Sequence, residues 1–359
     1  MTDSPTLKYA SQWQAYPTSE PISPEPKSQK DFNEEFLVQG DDYSHLIGMT
    51  VMPWLNNRTC VDMVKGKDDC PLHCSSYKTD GEPHGTVFIV HGFTESTLKY
   101  TELIWSLVHM GYNVVAYDQR GHGLSWKDDR VNHPSVTHVD HFDDYVEDLR
   151  AVCDFYKYIM PQPWFVFSHS MGGAVAALYM ESYPYTFKGA IMSAPMIAPS
   201  TGNIPFRVAS ALCRAARMMG KGTHYPFFMH PTHGHEIFES SCATDKARFN
   251  WYDNIKVSRP EYQNRLPSYS WVYESLHVTQ RILSEKDPAM ITCPVVVYSA
   301  ENDDVVLSLP QKVFVNRLRR AKHIVVQGAK HEIFRSENKV LFPWWKDVLK
   351  NLEEFRAKA

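Results

Sequence analysis

The chain of 359 residues is 43% hydrophobic, 22% charged and 13% aromatic, which excludes a disordered or collagen-like polymer and supplies apolar side chains for a sizeable core. Lys+Arg 37 against Asp+Glu 41 gives a net charge of −4 with no long basic block, so no nucleic-acid partner is expected. Seven cysteines, an odd number in a long chain, and an N-terminus without signal-peptide form point to a cytoplasmic protein.

Taken in chain order, the first 30 residues hold five of the 23 prolines (5, 17, 21, 24 and 26) and few clustered apolar residues, so residues 1–45 are expected to form a partly disordered tail. From about residue 50, short apolar runs alternate with helical patterns: Thr86–Val90, then 98–110, then Tyr112–Tyr117, then 142–159. In the last of these, Phe142, Tyr145, Val146, Leu149, Val152, Cys153 and Tyr156 recur at steps of three and four, and Pro161 and Pro163 end the pattern. A strand at Trp164–Phe167, a helix from Met171 and a strand at Phe187–Met192 follow, and then the alternation is lost until Pro294–Ser299. A helix near 308–319, a strand at His323–Gln327 and a helix near 337–355 complete it. Strand–helix alternation of this kind predicts a doubly wound, mostly parallel sheet. Residues 46–195 and 291–359 are expected to form this α/β core, with 196–290 an inserted, mainly helical lid, because structureless loops of that length are rare. Residues 158–180 and 189–206 carry no charge, yet prolines, glycines and serines interrupt both, so they read as buried sheet and helix pieces rather than membrane spans.

At the end of the Trp164–Phe167 strand stands Ser168-His169-Ser170-Met171-Gly172-Gly173, immediately before an apolar helix. A serine in a tight strand-to-helix turn is held exposed at the sheet edge, and the helix start behind it supplies a positive dipole and a free N–H. Such a turn needs small residues two positions either side, here Ser168 and Gly172. The strand Thr86–Val90 ends in His91-Gly92-Phe93, where glycine lets the backbone turn toward the serine. The N–H groups of Phe93 and Met171 are therefore the expected oxyanion donors, while His91 and His169 read as structural.

A serine hydroxyl is a weak nucleophile at neutral pH without a base, and the base needs an acid to fix its tautomer. In a strand–serine–helix frame, the acid and then the histidine follow the serine in the chain. Ala300-Glu301-Asn302-Asp303-Asp304 and Gly328-Ala329-Lys330-His331 both follow strands, where open α/β sheets place their sites, and this selects His331 from 17 histidines. Asp303 is the first choice for the acid, Asp304 the alternate and Glu301 the third; spacing alone does not separate them.

The segments HGFTESTLKY (91–100), YDQRGHGLS (117–125), HVDHFDDYVEDL (138–149), FSHSMGGA (167–174), SAPM (193–196), PSYSWVYESL (267–276), AENDDVV (300–306) and GAKHEIF (328–334) resemble the α/β-hydrolase superfamily over about residues 60–355. Within it the chain is similar to serine hydrolases that include monoacylglycerol lipases and, closer through HFDDYVEDL and SYSWVYESL, bacterial lysophospholipases. The resemblance implies a Ser170, Asp303 and His331 triad, Phe93 and Met171 as oxyanion donors, no cofactor, and a single-chain lipid ester as substrate, lysophospholipid first and monoacylglycerol second. The rivals are a soluble carboxylesterase, an aminopeptidase-like hydrolase that recruits Glu236 or Glu239 for the substrate amine, and a catalytically silent binding protein.

Residues 205–221 form a basic amphipathic pattern: Arg207, Ser210, Arg214, Arg217 and Lys221 share one face, and Val208, Leu212, Ala215, Ala216 and Met219 the opposite one. On this reading Arg207, Arg214 and Arg217 rest on an anionic membrane surface while the apolar face lines an acyl pocket, against the plainer reading of a lid helix with a solvated charged face. Cys60, Cys70, His73 and Cys74, and separately His224, His230, His233 and His235, are not assigned a metal: His73 and Cys74 fall on an expected strand whose neighbours point to opposite faces, and the second group on a Pro/Gly loop.

Overall fold

The computed structural model describes residues 31–231, 234–283 and 288–359. Its main sheet has eight strands: β1 (Thr59–Lys65), β2 (Pro71–Tyr77), β3 (Thr86–Val90), β4 (Asn113–Tyr117), β5 (Trp164–His169), β6 (Gly189–Ser193), β7 (Val295–Ala300) and β8 (Ala321–Val326). They lie in the order β1-β2-β4-β3-β5-β6-β7-β8. The β1–β2 and β2–β4 pairs are antiparallel and the remaining pairs parallel. The principal helices are α1 (Thr101–His109), α2 (Asp143–Tyr156), α3 (Met171–Ser182), α4 (Phe206–Met218), α5 (Lys246–Ser258), α6 (Tyr269–Ile282), α7 (Ser308–Arg317) and α8 (Asn338–Arg356).

Alternation along the central strands builds two cores. Phe88, Val90 and Val115 pack with Leu149 and Val152 of α2 and Val175 of α3, whereas Val87, Ile89 and Val114 pack on the other face with Trp105 of α1 and Trp345 of α8. With helices on both faces, the central strands are buried along their whole length. The chain passes from β3 outward to β4 and then returns across β3 to β5, so the winding direction reverses between β3 and β5. Val90 is paired with Ser168 there, which brings the carboxyl ends of both strands together.

Two expectations are corrected. Residues 31–45 are not a tail: Phe32, Leu37, Val38 and Tyr43 are buried, Val38 N donates to Glu102 Oε1 at 2.9 Å, and Tyr43 Oη donates to Glu102 Oε2 at 3.2 Å. Arg248 of α5 pairs with the same carboxylate at 2.8 Å and donates to the Val38 carbonyl at 3.0 Å. This segment is ordered by partners more than 50 residues away, which local composition does not reveal. Residues 1–30 lie outside the described residues.

The second correction concerns α4. Cys213 and Ala216 are its buried residues and, with Tyr269 of α6, form a small core, so the packed face lies between the two faces expected from the pattern. Small side chains at 213 and 216 let the helices approach closely, which outweighs the pull of larger residues. Arg217 turns onto Glu274 of α6 at 2.7 Å and over the Tyr273 ring, leaving Arg207 and Arg214 exposed. Val208, Leu212 and Met219 are 48%, 45% and 67% exposed, although Leu212 and Met219 also border a cavity described below.

Between β6 and β7 the chain carries α4, α5 and α6, and the short parallel strands Val136–Thr137 and Leu266–Pro267 fasten this segment to the loop after β4. Among the described residues no helix is long and apolar enough to cross a membrane.

Candidate active site

Ser170 stands in the turn from β5 to α3 with φ 51° and ψ −121°, a left-handed conformation costly for a residue with a side chain. Close packing behind the turn holds it there: a Cβ on Gly172 would lie 2.1 Å from the Val90 carbonyl oxygen, and one on Gly173 2.4 Å from Pro195 Cβ. Ser170 N donates to the Ser193 carbonyl at 3.2 Å, which ties the turn to the end of β6.

Ser170 Oγ lies 2.8 Å from His331 Nε2, and His331 Nδ1 lies 2.8 Å from Asp303 Oδ2. With Nδ1 donating its proton to the carboxylate, Nε2 is left as the acceptor for the serine hydroxyl. Asp303 Oδ1 accepts the N–H groups of Val305 and Val306, each at 3.0 Å. Burial pushes the Asp303 carboxyl up, but the hydrogen bond and charge of His331 and the two amides overcome this and hold it below the usual carboxylate value. Asp304 is exposed, and Glu301 accepts the Gly328 N–H at 2.8 Å instead of facing the histidine. Of the three candidate acids, the fold brings Asp303 alone to His331.

The turn after β3 is fixed from both sides. His91 Nδ1 lies 2.7 Å from the Gly92 carbonyl oxygen and its Nε2 accepts the Gln119 N–H at 2.9 Å, one consistent tautomer of a neutral ring whose pKa burial lowers. Since that ring holds the carbonyl of the Gly92–Phe93 peptide, the Phe93 N–H on its opposite side turns away from His91. A Cβ on Gly92 would sit 3.0 Å from Ser170 Cβ, so the turn passes directly beside the serine. Met171, the other expected donor, is the first residue of α3, where N–H groups have no carbonyl within the helix.

Sequence reading missed the support beneath this turn. Glu95, 3% exposed, accepts the Gly92 N–H and the Tyr100 hydroxyl at 2.6 Å each, Lys99 Nζ at 2.8 Å and His169 Nδ1 at 3.3 Å. His169 Nε2 in turn lies 3.3 Å from the His331 carbonyl oxygen. One carboxylate thus joins the turn after β3, the serine turn and the histidine loop. Burial opposes its charge, but Lys99 and His169 prevail and place its pKa well below the ordinary value. Its signal lay in HGFTESTLKY, where a glutamate three residues past a turn glycine can reach back to the turn's own N–H.

Two cavities flank the turn after β3. One, of about 500 Å³, lies between α4 and α6 and is largely apolar, with Leu212, Met219, Phe227, Phe228, Trp271 and Leu276 among its walls; the Trp271 ring packs 3.9 Å from that of Phe93. The other, of about 540 Å³, is bordered by Thr94 and Glu332, the residues that follow Phe93 and His331, and by charged side chains.

Among the described residues of the two Cys/His groups, no three come within mutual ligand reach. Among the described residues, the one group of three candidate ligands within mutual reach is Asp128, His138 and Asp140, and Arg130 already bonds both carboxylates. His233 lies outside the described residues.

A family model described as serine aminopeptidase, S33 matches residues 81–338. The chain belongs to this hydrolase family. As an S33-family α/β-hydrolase it is 28% identical over 296 residues to lysophospholipase L2 of Escherichia coli K12, a match covering 75% of this chain and 80% of the relative. It is 33% identical over 127 residues to human monoglyceride lipase, covering 35% of this chain and 40% of that one. Among solved structures, monoacylglycerol lipase from Paleococcus ferrophilus superposes with a TM-score of 0.61 at 19% identity, covering 79% of this chain and 99% of the other. A soluble variant of monoglyceride lipase from Saccharomyces cerevisiae gives 0.62 at 18% identity, covering 83% and 96%. At these identities the superpositions establish the fold.

Proposed function

We propose that this hydrolase cleaves the carboxylic ester of single-chain lipids through an acyl-enzyme on Ser170. The observation that carries the reading is the continuous path from Ser170 Oγ through His331 to Asp303, with 2.8 Å at each step. His331 Nε2 takes the hydroxyl proton as Oγ attacks the ester carbonyl; the Asp303 carboxylate holds the ring in the required tautomer and stabilises the imidazolium. The Phe93 and Met171 N–H groups receive the oxyanion, a contribution of about 3 kcal/mol for each well-placed donor. Collapse of the tetrahedral adduct breaks the bond to the alcohol oxygen, which takes the proton back from His331. Water then enters by the same route and releases the fatty acid.

The apolar cavity beside Phe93 offers room for one acyl chain. Similarity to lysophospholipase L2 over three-quarters of the chain, against about one-third for monoglyceride lipase, favours lysophospholipid over monoacylglycerol. The aminopeptidase alternative needs a free lid carboxylate for the substrate amine. Glu236 is engaged by Lys256 at 2.5 Å and approached by Arg265 at 3.7 Å, which disfavours it.

A fluorophosphonate probe followed by peptide mass mapping tests the nucleophile. Covalent labelling is expected on the peptide containing Ser170 and lost in Ser170→Ala; labelling that survives the substitution would remove Ser170 from the mechanism.

A further inference from the structure

Ester cleavage as described uses the apolar cavity and leaves the polar one without a role. We infer that the polar cavity is the head-group site, and that Lys256 and Arg335, with Lys99 and Arg265, hold the phosphodiester of a lysophospholipid there. This rests on the lipid-ester reading above and adds to it the group that separates lysophospholipid from monoacylglycerol.

Position comes first. His331 must hand its proton to the leaving alcohol, so the leaving group has to lie on the histidine side of the scissile bond. Glu332 and Thr94 carry the polar cavity to that side, while Trp271 against Phe93 carries the apolar cavity to the acyl side. The polar cavity's volume of about 540 Å³ falls within the range of small-ligand sites, about 300–1,000 Å³.

Its lining carries four cations, Lys99, Lys256, Arg265 and Arg335, against the three carboxylates of Glu236, Asp253 and Glu332. The side chains of Lys99, Lys256, Arg265 and Arg335 are 5%, 6%, 7% and 8% exposed, so four cations have been brought out of water around one space. Two of the carboxylates present are shared between them: Glu332 lies 2.5 Å from Lys99 and 2.6 Å from Arg335, and Glu236 lies 2.5 Å from Lys256 and 3.7 Å from Arg265. Of the others nearby, Glu95 pairs with Lys99 at 2.8 Å while also holding the Gly92 N–H, and Asp253 is committed to His235 and the Glu236 N–H. Burial lowers the pKa of Lys256, and the neighbouring charges of Lys99 and Arg265 lower it further against the pull of Glu236, a repulsion that an anion in the cavity relieves. Beyond the carboxylates they already share, a neutral glycerol group offers these cations hydroxyls alone, whereas a phosphodiester supplies charge-assisted acceptors.

The test compares kcat/KM for 1-palmitoyl-lysophosphatidylcholine and 1-palmitoylglycerol, which share one acyl chain, in wild type, Lys256→Gln and Lys256→Arg. The lysophospholipid-to-monoacylglycerol ratio is expected to fall about tenfold or more in Lys256→Gln and to recover to within about threefold in Lys256→Arg. An unchanged ratio in Lys256→Gln overturns the inference. Because Lys256 is buried, a second measurement uses the unaltered protein: inhibition of p-nitrophenyl butyrate hydrolysis by sn-glycero-3-phosphocholine, glycerol and inorganic phosphate. Glycerophosphocholine is expected to inhibit at concentrations about tenfold or more below those of the other two. Equal inhibition by glycerol removes the phosphate contact, and equal inhibition by inorganic phosphate reassigns the cavity to free phosphate. Failure of the wild type to release any fatty acid or nitrophenol overturns the hydrolase reading itself, an outcome distinct from an unchanged ratio.

Discussion

Asp303 and Asp304 carry the same side chain on adjacent residues, yet one is buried against His331 while the other stands in solvent. The backbone N–H groups of Val305 and Val306 fix the difference by donating to Asp303 Oδ1 and holding that carboxylate in the turn. Because its pKa is held below the ordinary value, Asp303 remains ionised down through the weakly acid range. The stability it contributes is present above the ordinary carboxylate pKa and is lost as pH falls through the depressed one. Asp303→Asn presents an amide in place of the acceptor and favours the wrong tautomer of His331. It is expected to lower kcat on p-nitrophenyl butyrate by about 10³–10⁴-fold, whereas Asp304→Asn stays within about threefold of wild type. Steady-state kinetics with both variants decides this; the reverse ranking would move the acid to Asp304. Spacing could not separate these neighbours because the choice is made by a turn, and turn geometry is not written in the spacing of carboxylates.

At the scale of elements, strong periodicity was readable and contact-dependent detail was not. The apolar positions of α2 recur every three or four residues, and the helix forms over Asp143–Tyr156, inside the span that pattern marks. β1 gave little signal because it lies at the sheet edge with mixed exposure and lacks a clean alternation. In α4 the pattern located the helix, but the small residues Cys213 and Ala216 decided which face packs, and a partner helix drew Arg217 out of the basic stripe. Arg207 and Arg214 stay exposed beside Phe206 and Val208, which suits contact with an anionic lipid surface near the apolar cavity. Arg207→Glu with Arg214→Glu is expected to weaken sedimentation with phosphatidylglycerol vesicles severalfold while short-ester hydrolysis persists. Undiminished vesicle binding would leave α4 an ordinary surface helix with a solvated charged face.

For the whole molecule, the reversal of winding between β3 and β5 places the turn after β3 beside the serine turn, and a cavity lies on either side of the turn after β3. Phe93 meets the apolar cavity through Trp271, and Thr94, its neighbour, borders the charged one. Order of elements and the candidate serine, acid and histidine were legible because each follows the carboxyl end of a sheet strand. The braces were not: Glu95 unites three loops, and Glu102 unites residues 31–45 with α5 through Arg248, pairings that exist only once distant segments meet. Such buried charge pairs are costly to break singly, which ties the segment between β6 and β7 and the N-terminal segment to the same core. The most direct measurement is fatty-acid release from 1-palmitoyl-lysophosphatidylcholine by wild type and Ser170→Ala at equal folded concentration. Turnover by wild type with loss of at least about 10³-fold in the alanine variant is expected; equal release by both proteins, or none by wild type, would contradict a lipid-ester hydrolase built on Ser170.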